Sequence, residues 1–275
     1  MGALDLVSLA DLQGWIGAAG NPATLAALIS QTSQAVLNGL YRSSVLPHSY
    51  TEYYDGNGGE RFFLRNWPVI DVFSLSINGQ AIPASSPWGA GQSWQKGYMI
   101  AAANNPTPPG MQQDIILRGY RFRRGVQNIA VSYSAGYQIS GEVQSIPATS
   151  PYQVTALAPY GAWASDEGVL IEGSLASSVI GAPSSAGQYS VAAGLYAFAA
   201  ADAGKPVTIS YGYIPADLGL ACLQIAGEYF AYQSHPGVQS KSLGGQETIA
   251  YNASVLTSMV ARNGLLNPYR RVVPL

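Results

Sequence analysis

From Ser8 to about Arg42 the apolar residues recur at helical spacing. Leu9, Leu12, Trp15 and Ile16 line one side of a short helix, with Ser8 and Asp11 as a capping pair at its start. Asn21-Pro22 supplies an N-cap followed by proline at the first helical position. Leu25, Leu28, Ile29, Ala35, Val36 and Leu40 then form the inward stripe of a second helix. From His48 the period becomes two. HSYTEYYDGNGGERFFLRNWPV reads as strand, tight glycine turn, strand, and VIDVFSLSINGQAI as a second hairpin turning at Asn78-Gly79. A looser segment rich in Pro and Trp covers 83–110, and strands follow at 114–118 and 126–133.

Helical spacing returns only at IPADLGLACLQIAGEYF (214–230), with Pro215 at the first helical position, Asp217 in the first turn, and Leu218, Cys222, Ile225 and Tyr229 on one face. The strand just before it, VTISYGY (207–213), nearly repeats AVSYSAGY (130–137), which no helix follows. Between the two copies lie short strand candidates, YQVTALA, GVLIEG, GQYSVAAG and LYAFAAA, separated by small residues. The reading is an inserted β-sandwich or barrel-like domain at 138–206, whose ends lie close together. The fold class expected is α+β: a helical domain with small antiparallel β elements, interrupted by an all-β insert. After the 214–230 helix come a polar, Gly-rich arm, a third helix near 253–263 and an extended basic end, GLLNPYRRVVPL, read as a segment awaiting a partner.

Charged residues make up only 10% of the chain, against a usual value of about 25%. Gly (31), Tyr (18) and Pro (17) are abundant, which suits a β-rich protein with many turns whose surface need not stay charged. Burial of that surface against other subunits is one reason, and secretion or a place in a virion is another. The net charge of −2 gives no general reason to expect nucleic-acid binding. The 138–206 segment holds five acids (Glu142, Asp166, Glu167, Glu172, Asp202) and one base (Lys205), hence −4, and is expected to turn an acidic face outward to a partner. Cys222, the single cysteine, is read as a core residue. The start, MGALDLVSLADL, does not read as a secretory signal, and no apolar run is long enough to span a membrane. A cytoplasmic site of synthesis is expected.

Little catalytic chemistry is legible. His48 and His235 lack companions spaced for a metal or a triad and are read as structural or surface residues. DGNGGE places Asp55, Asn57 and Gly59 like the start of a calcium loop, but position twelve is Asn66, so a turn requiring positive φ explains the glycines better. RGYRFRRG gathers Arg118, Arg121, Arg123 and Arg124. They are a charged strand edge that resists edge-to-edge pairing, a lining for a DNA passage, or a contact to an acidic neighbour or another subunit. Arg270 and Arg271 beside Tyr269 form a smaller basic-aromatic group, read as a protein interface.

The helix pair, YTEYYDGNGGERFFLRNWPVIDVFSLSINGQ, VSYSAGY, IPADLGLACLQIAGEYF, VQSKSLGGQETIAY and LLNPYRR, in that order, resemble the head–tail adaptor proteins of tailed bacteriophages (gp6-like connectors, or head completion proteins). The resemblance covers about 1–137 and 207–275. It implies a discontinuous adaptor domain at 1–137 and 207–252, with 138–206 inserted and 253–275 binding the portal. It further implies a structural virion protein at the neck, without catalysis or cofactor. Twelve copies would form a ring beneath the portal, joined below to a tail-side neck or stopper protein. The genomic DNA would pass through without sequence-specific binding. Ser240 to Tyr251 would form the connecting arm, and the portal interface would fall on Leu265, Leu266, Pro268, Tyr269, Arg270, Arg271, Val272 and Val273.

Two other functions compete. A virion surface module could bind host carbohydrate through the β insert, with Trp88, Trp94 and Trp163 stacking on sugars. A glycosidase would need a recognisable carboxylate pair, which the sequence does not show.

Overall fold

A computed structural model describes residues 4–17, 20–85, 95–101, 108, 110, 112–233, 240–243, 247–250, 260 and 263–270. The chain divides into two compact units, one of residues Val45–Ile214 and one built from both chain ends, Met1–Ser44 with Pro215–Leu275. The divisions therefore fall at 44/45 and 214/215, whereas the sequence reading placed them at 137/138 and 206/207.

The unit built from the chain ends contains the helices. α1 (Leu9–Ile16) starts at the capping box expected, the Asp11 amide donating to Ser8 Oγ and the Ser8 amide to the Asp11 carboxylate, both at 3.1 Å. α2 (Pro22–Leu40) starts at Asn21, whose side chain accepts from the Ala23 amide. α3 (Ala216–Tyr232) uses Pro215 as its N-cap, so the helix starts one residue later than expected. Leu12, Leu25, Val36, Leu40, Leu218, Ala221, Cys222 and Ile225 are fully buried. Cys222 Sγ lies 3.6 Å from Ser33 Oγ, and burial pushes its thiol up to about 11, so it is an unreactive core residue.

The 45–214 unit is strand and loop apart from a short 3-10 turn at Ala200–Asp202. Its first half contains β1 (His48–Gly56), β2 (Arg61–Phe63), β3 (Val69–Ile77), β4 (Gln80–Ile82), β5 (Gly97–Ile100), β6 (Asp114–Arg118) and β7 (Gly125–Ala135). These form two antiparallel sheets, ordered β1-β7-β3-β4 and β2-β6-β5. One core, including Leu64, Leu75, Ile115, Leu117, Phe122, Ile129, Val131 and Tyr133, draws on both. The second half holds β8 (Gln138–Ser145), β9 (Gln153–Thr155), β10 (Gly161–Ile171), β11 (Ser174–Leu175), β12 (Ser177–Ser178), β13 (Gln188–Ala192), β14 (Leu195–Phe198) and β15 (Pro206–Pro215). These form sheets β11-β10-β15-β8 and β12-β13-β14-β9. The chain enters through β8 and leaves through β15, which pair antiparallel with Gln138 opposite Gly212, and the Tyr213 amide donates to the Tyr137 carbonyl at 3.1 Å. Among the residues after α3, β16 (Ser240–Leu243) and β17 (Glu247–Ala250) pair as a hairpin where the polar arm was read. The helix expected near 253–263 lies outside the described residues, apart from helical Val260 and Asn263, which caps the following turn.

The expected fold class is corrected. Strand accounts for 41% and helix for 25%, so the protein is mostly β and not a helical adaptor domain with small β elements. The cause lies in the pairing. β1 and β2 flank the DGNGG turn but belong to different sheets, β1 pairing with β7 and β2 with β6, so the first expected hairpin does not exist. The leading strands of the two expected hairpins, β1 and β3, run nine residues each and both pair with the eleven-residue β7 over long sequence distances. The second hairpin is as expected: β3 pairs with β4 around Asn78 (φ 52°) and Gly79 (φ 78°).

Candidate interaction site

The arginine run follows β6 and occupies one end of the first pair of sheets. Arg118 is half-buried at the strand's end, while Arg121, Arg123 and Arg124 are exposed around a fully buried Phe122. Phe122 meets the edge of Phe62 at 4.6 Å between ring centres. Its amide donates to the Gly59 carbonyl at 2.8 Å, and its carbonyl accepts from the Gly58 amide at 2.6 Å. The glycines of the turn are explained by this docking rather than by a hairpin or an ion site. A Cβ on Gly56 would lie 1.7 Å from the Arg123 carbonyl oxygen, and Gly58, at φ 84°, lies beneath the Arg124 side chain. Arg121 pairs with Glu60 at 3.4 Å, both side chains well exposed, so the pair adds little stability. Among the described residues Arg123 and Arg124 have no ion pair. Beside them opens a cleft of about 670 Å³, lined by Glu60, Ile77, Asn78, Gln80, Ile82, Tyr120, Arg121 and Arg123.

The acids follow a different rule. Glu52 accepts from the phenols of Tyr54 and Tyr133, the second at 2.7 Å. Glu142 accepts from Tyr211 and from the Leu157 amide at 3.1 Å. Asp166 accepts from Tyr189 at 2.6 Å and Tyr196 at 3.2 Å, and Tyr196 in turn receives the Trp163 indole N–H at 3.1 Å. None of these three carboxylates has an ion pair among the described residues. At these three carboxylates tyrosine hydroxyls take the place of cations. The Asp166 bonds also join layers, because Asp166 stands on β10 while Tyr189 and Tyr196 stand on β13 and β14 of the neighbouring sheet.

The acidic outward face expected of 138–206 is therefore not built. Glu142 and Asp166 are spent internally, and Asp202, 1% exposed, is held by the Gly187 amide and Lys205. Only Glu167 and Glu172 are exposed, and Glu172 pairs with Lys205. The segment instead exposes aliphatic side chains: Val143 at 73%, Leu157 at 70%, Leu175 at 80% and Ile180 at 108%. Of the tryptophans expected to stack on sugars, Trp163 is half-buried and committed to Tyr196, and Trp88 and Trp94 lie outside the described residues.

The C-terminal residues divide. A 3-10 turn, Gly264–Tyr269, packs on α3 and α2, and Asn263 caps it through the Leu265 amide. Leu266 and Tyr269 are fully buried, and the Tyr269 hydroxyl donates to Asp217 at the start of α3. These two are internal anchors rather than the partner surface expected of them. Leu265 and Arg270 are half-buried and Pro268 is exposed, while Arg271, Val272 and Val273 lie outside the described residues. Leu266→Ala should cost about 3 kcal/mol, read as a lower denaturation midpoint of the full chain. An unchanged midpoint would mean the turn does not hold the helices.

His48 stacks edge-on against Tyr50 at 5.1 Å, and His235 lies outside the described residues. Among the described residues no three His, Cys, Asp or Glu side chains gather to hold a metal, and no helix is long and apolar enough to cross a membrane. No family model matches the chain, and no curated protein is similar to it.

Proposed function

We propose that this protein is a structural subunit of a tailed-phage neck, a head–tail adaptor of mostly β build that joins the portal to the tail. One observation carries the assembly role. The β unit turns its carboxylates inward onto tyrosines and leaves Val143, Leu157, Leu175 and Ile180 in solvent, the composition of a surface that other subunits cover. The place in the neck rests on the ordered resemblance along 1–137 and 207–275. The C-terminal residues expected to reach the portal follow a turn anchored on α3, which gives them a fixed point of departure. The test is to mix the purified chain with isolated portal rings and sediment the mixture. Association in a fixed ratio, twelve per ring, is expected, and it is lost when residues 271–275 are removed. Failure to bind the rings would remove the adaptor reading.

A further inference from the structure

The DGNGG turn and the RGYRFRRG run, far apart in sequence, form one construction. Arg121 and Arg123 stand two residues apart on either side of Phe122, so when Phe122 is driven into the core both emerge on the other side. Both line the same cleft. The loop is fixed before any ligand arrives, because Gly58 and Gly59 bond the Phe122 backbone and Asn128 Nδ2 donates to the Arg123 carbonyl at 2.9 Å. The backbone that carries the two guanidinium groups therefore needs no ordering at the moment of binding.

The rest of the cleft specifies what the arginines meet. Its floor is aliphatic, from Ile77 and Ile82, and Asn78 and Gln80 offer carboxamides from the β3–β4 hairpin. β4 is the edge strand of its sheet, so an extended chain laid beside it can add backbone bonds. We infer that this cleft binds an extended acidic segment of a partner protein, its carboxylates on Arg121 and Arg123 and an aliphatic side chain over Ile77 and Ile82. A nucleic-acid duplex fits less well. It would need a broad basic surface, whereas here two arginines share the lining with Glu60 in a chain of net charge −2. The inference does not rest on the neck assignment.

The full chain is titrated at low salt with a fluorescent, doubly capped peptide Glu-Leu-Glu-Val-Glu, with its Gln-Leu-Gln-Val-Gln counterpart, and with a short DNA duplex. The acidic peptide binds, and its counterpart binds at least about tenfold more weakly. The Arg121→Gln/Arg123→Gln double variant loses at least about tenfold in affinity for the acidic peptide while its circular dichroism stays unchanged. If that variant loses its fold, Arg123→Gln alone serves, with a loss of at least about threefold. The inference is overturned by no binding of the acidic peptide, by equal binding of both peptides, by unaltered affinity in the folded variant, or by a duplex that binds more tightly than the acidic peptide.

Discussion

Above pH 10 the protein should lose stability steeply and unfold as one cooperative β unit. Tyr54, Tyr98, Tyr133, Tyr189, Tyr196 and Tyr211 all have their phenols held above the ordinary value of 10.0, first by burial. For Tyr54, Tyr133, Tyr189, Tyr196 and Tyr211 the carboxylates they donate to push further in the same direction. In the unfolded chain these groups ionise near pH 10, while in the fold they keep their protons. The unfolded state then binds fewer protons than the native one, so stability falls as pH rises past 10 and is fully present below it. Each such phenol removes up to about 1.4 kcal/mol per pH unit, and several act together against a total stability of roughly 5–15 kcal/mol. Denaturant midpoints measured from pH 8 to 11.5 (about a unit beyond the ordinary phenol value) should stay level and then collapse. Tyrosinate absorbance should appear together with the loss of β signal. Gradual ionisation without unfolding would mean that the phenols are open to water and the clusters are not formed.

The second large effect is at Gly136, the bend between β7 and β8. Its φ is 145°, and a Cβ there would lie 2.4 Å from the carbonyl of Leu46 and the nitrogen of Pro47. Neither side can yield. The Gly136 amide donates to the Pro68 carbonyl and the Tyr137 amide to the Val45 carbonyl, each at 2.9 Å. Gly136→Ala should therefore cost at least about 3 kcal/mol, from backbone overlap added to a disfavoured φ. Gly173→Ala is the control. It has φ 80° with nothing within 4 Å of the added carbon, so it should cost about 1 kcal/mol. Equal midpoints for the two variants would show that the Leu46–Pro47 contact does not constrain the bend.

What the sequence made legible was local. The Ser8–Asp11 and Asn21-Pro22 signals place α1 and α2 because a cap and its helix lie within a few residues of each other. Asn78-Gly79 places its hairpin for the same reason. The DGNGG stretch looks like another hairpin, but its glycines answer to Arg123 and Arg124 more than sixty residues away, and no local pattern encodes that. Counting the acids of 138–206 gives their number but not their place, since charge counting does not see a phenol as a partner. A cue was present: tyrosines at 189, 196 and 211 alternate inward in strands that lack basic residues. A Pro-bearing tail makes Leu266 and Tyr269 look partner-seeking. Asn263-Gly264 is a cap signal, and residues three apart share a face in a 3-10 turn, so their burial was within reach of the sequence.

The neck assignment is tested most directly on the virion itself. Fab fragments raised against the purified chain are added to intact and tail-stripped particles of the tailed phage that the proposal takes as its source, and imaged by electron microscopy. The account predicts label only at the head–tail junction, brighter once the tail is removed. Label on the capsid shell or on tail fibres, or absence of the chain from purified virions, would contradict it.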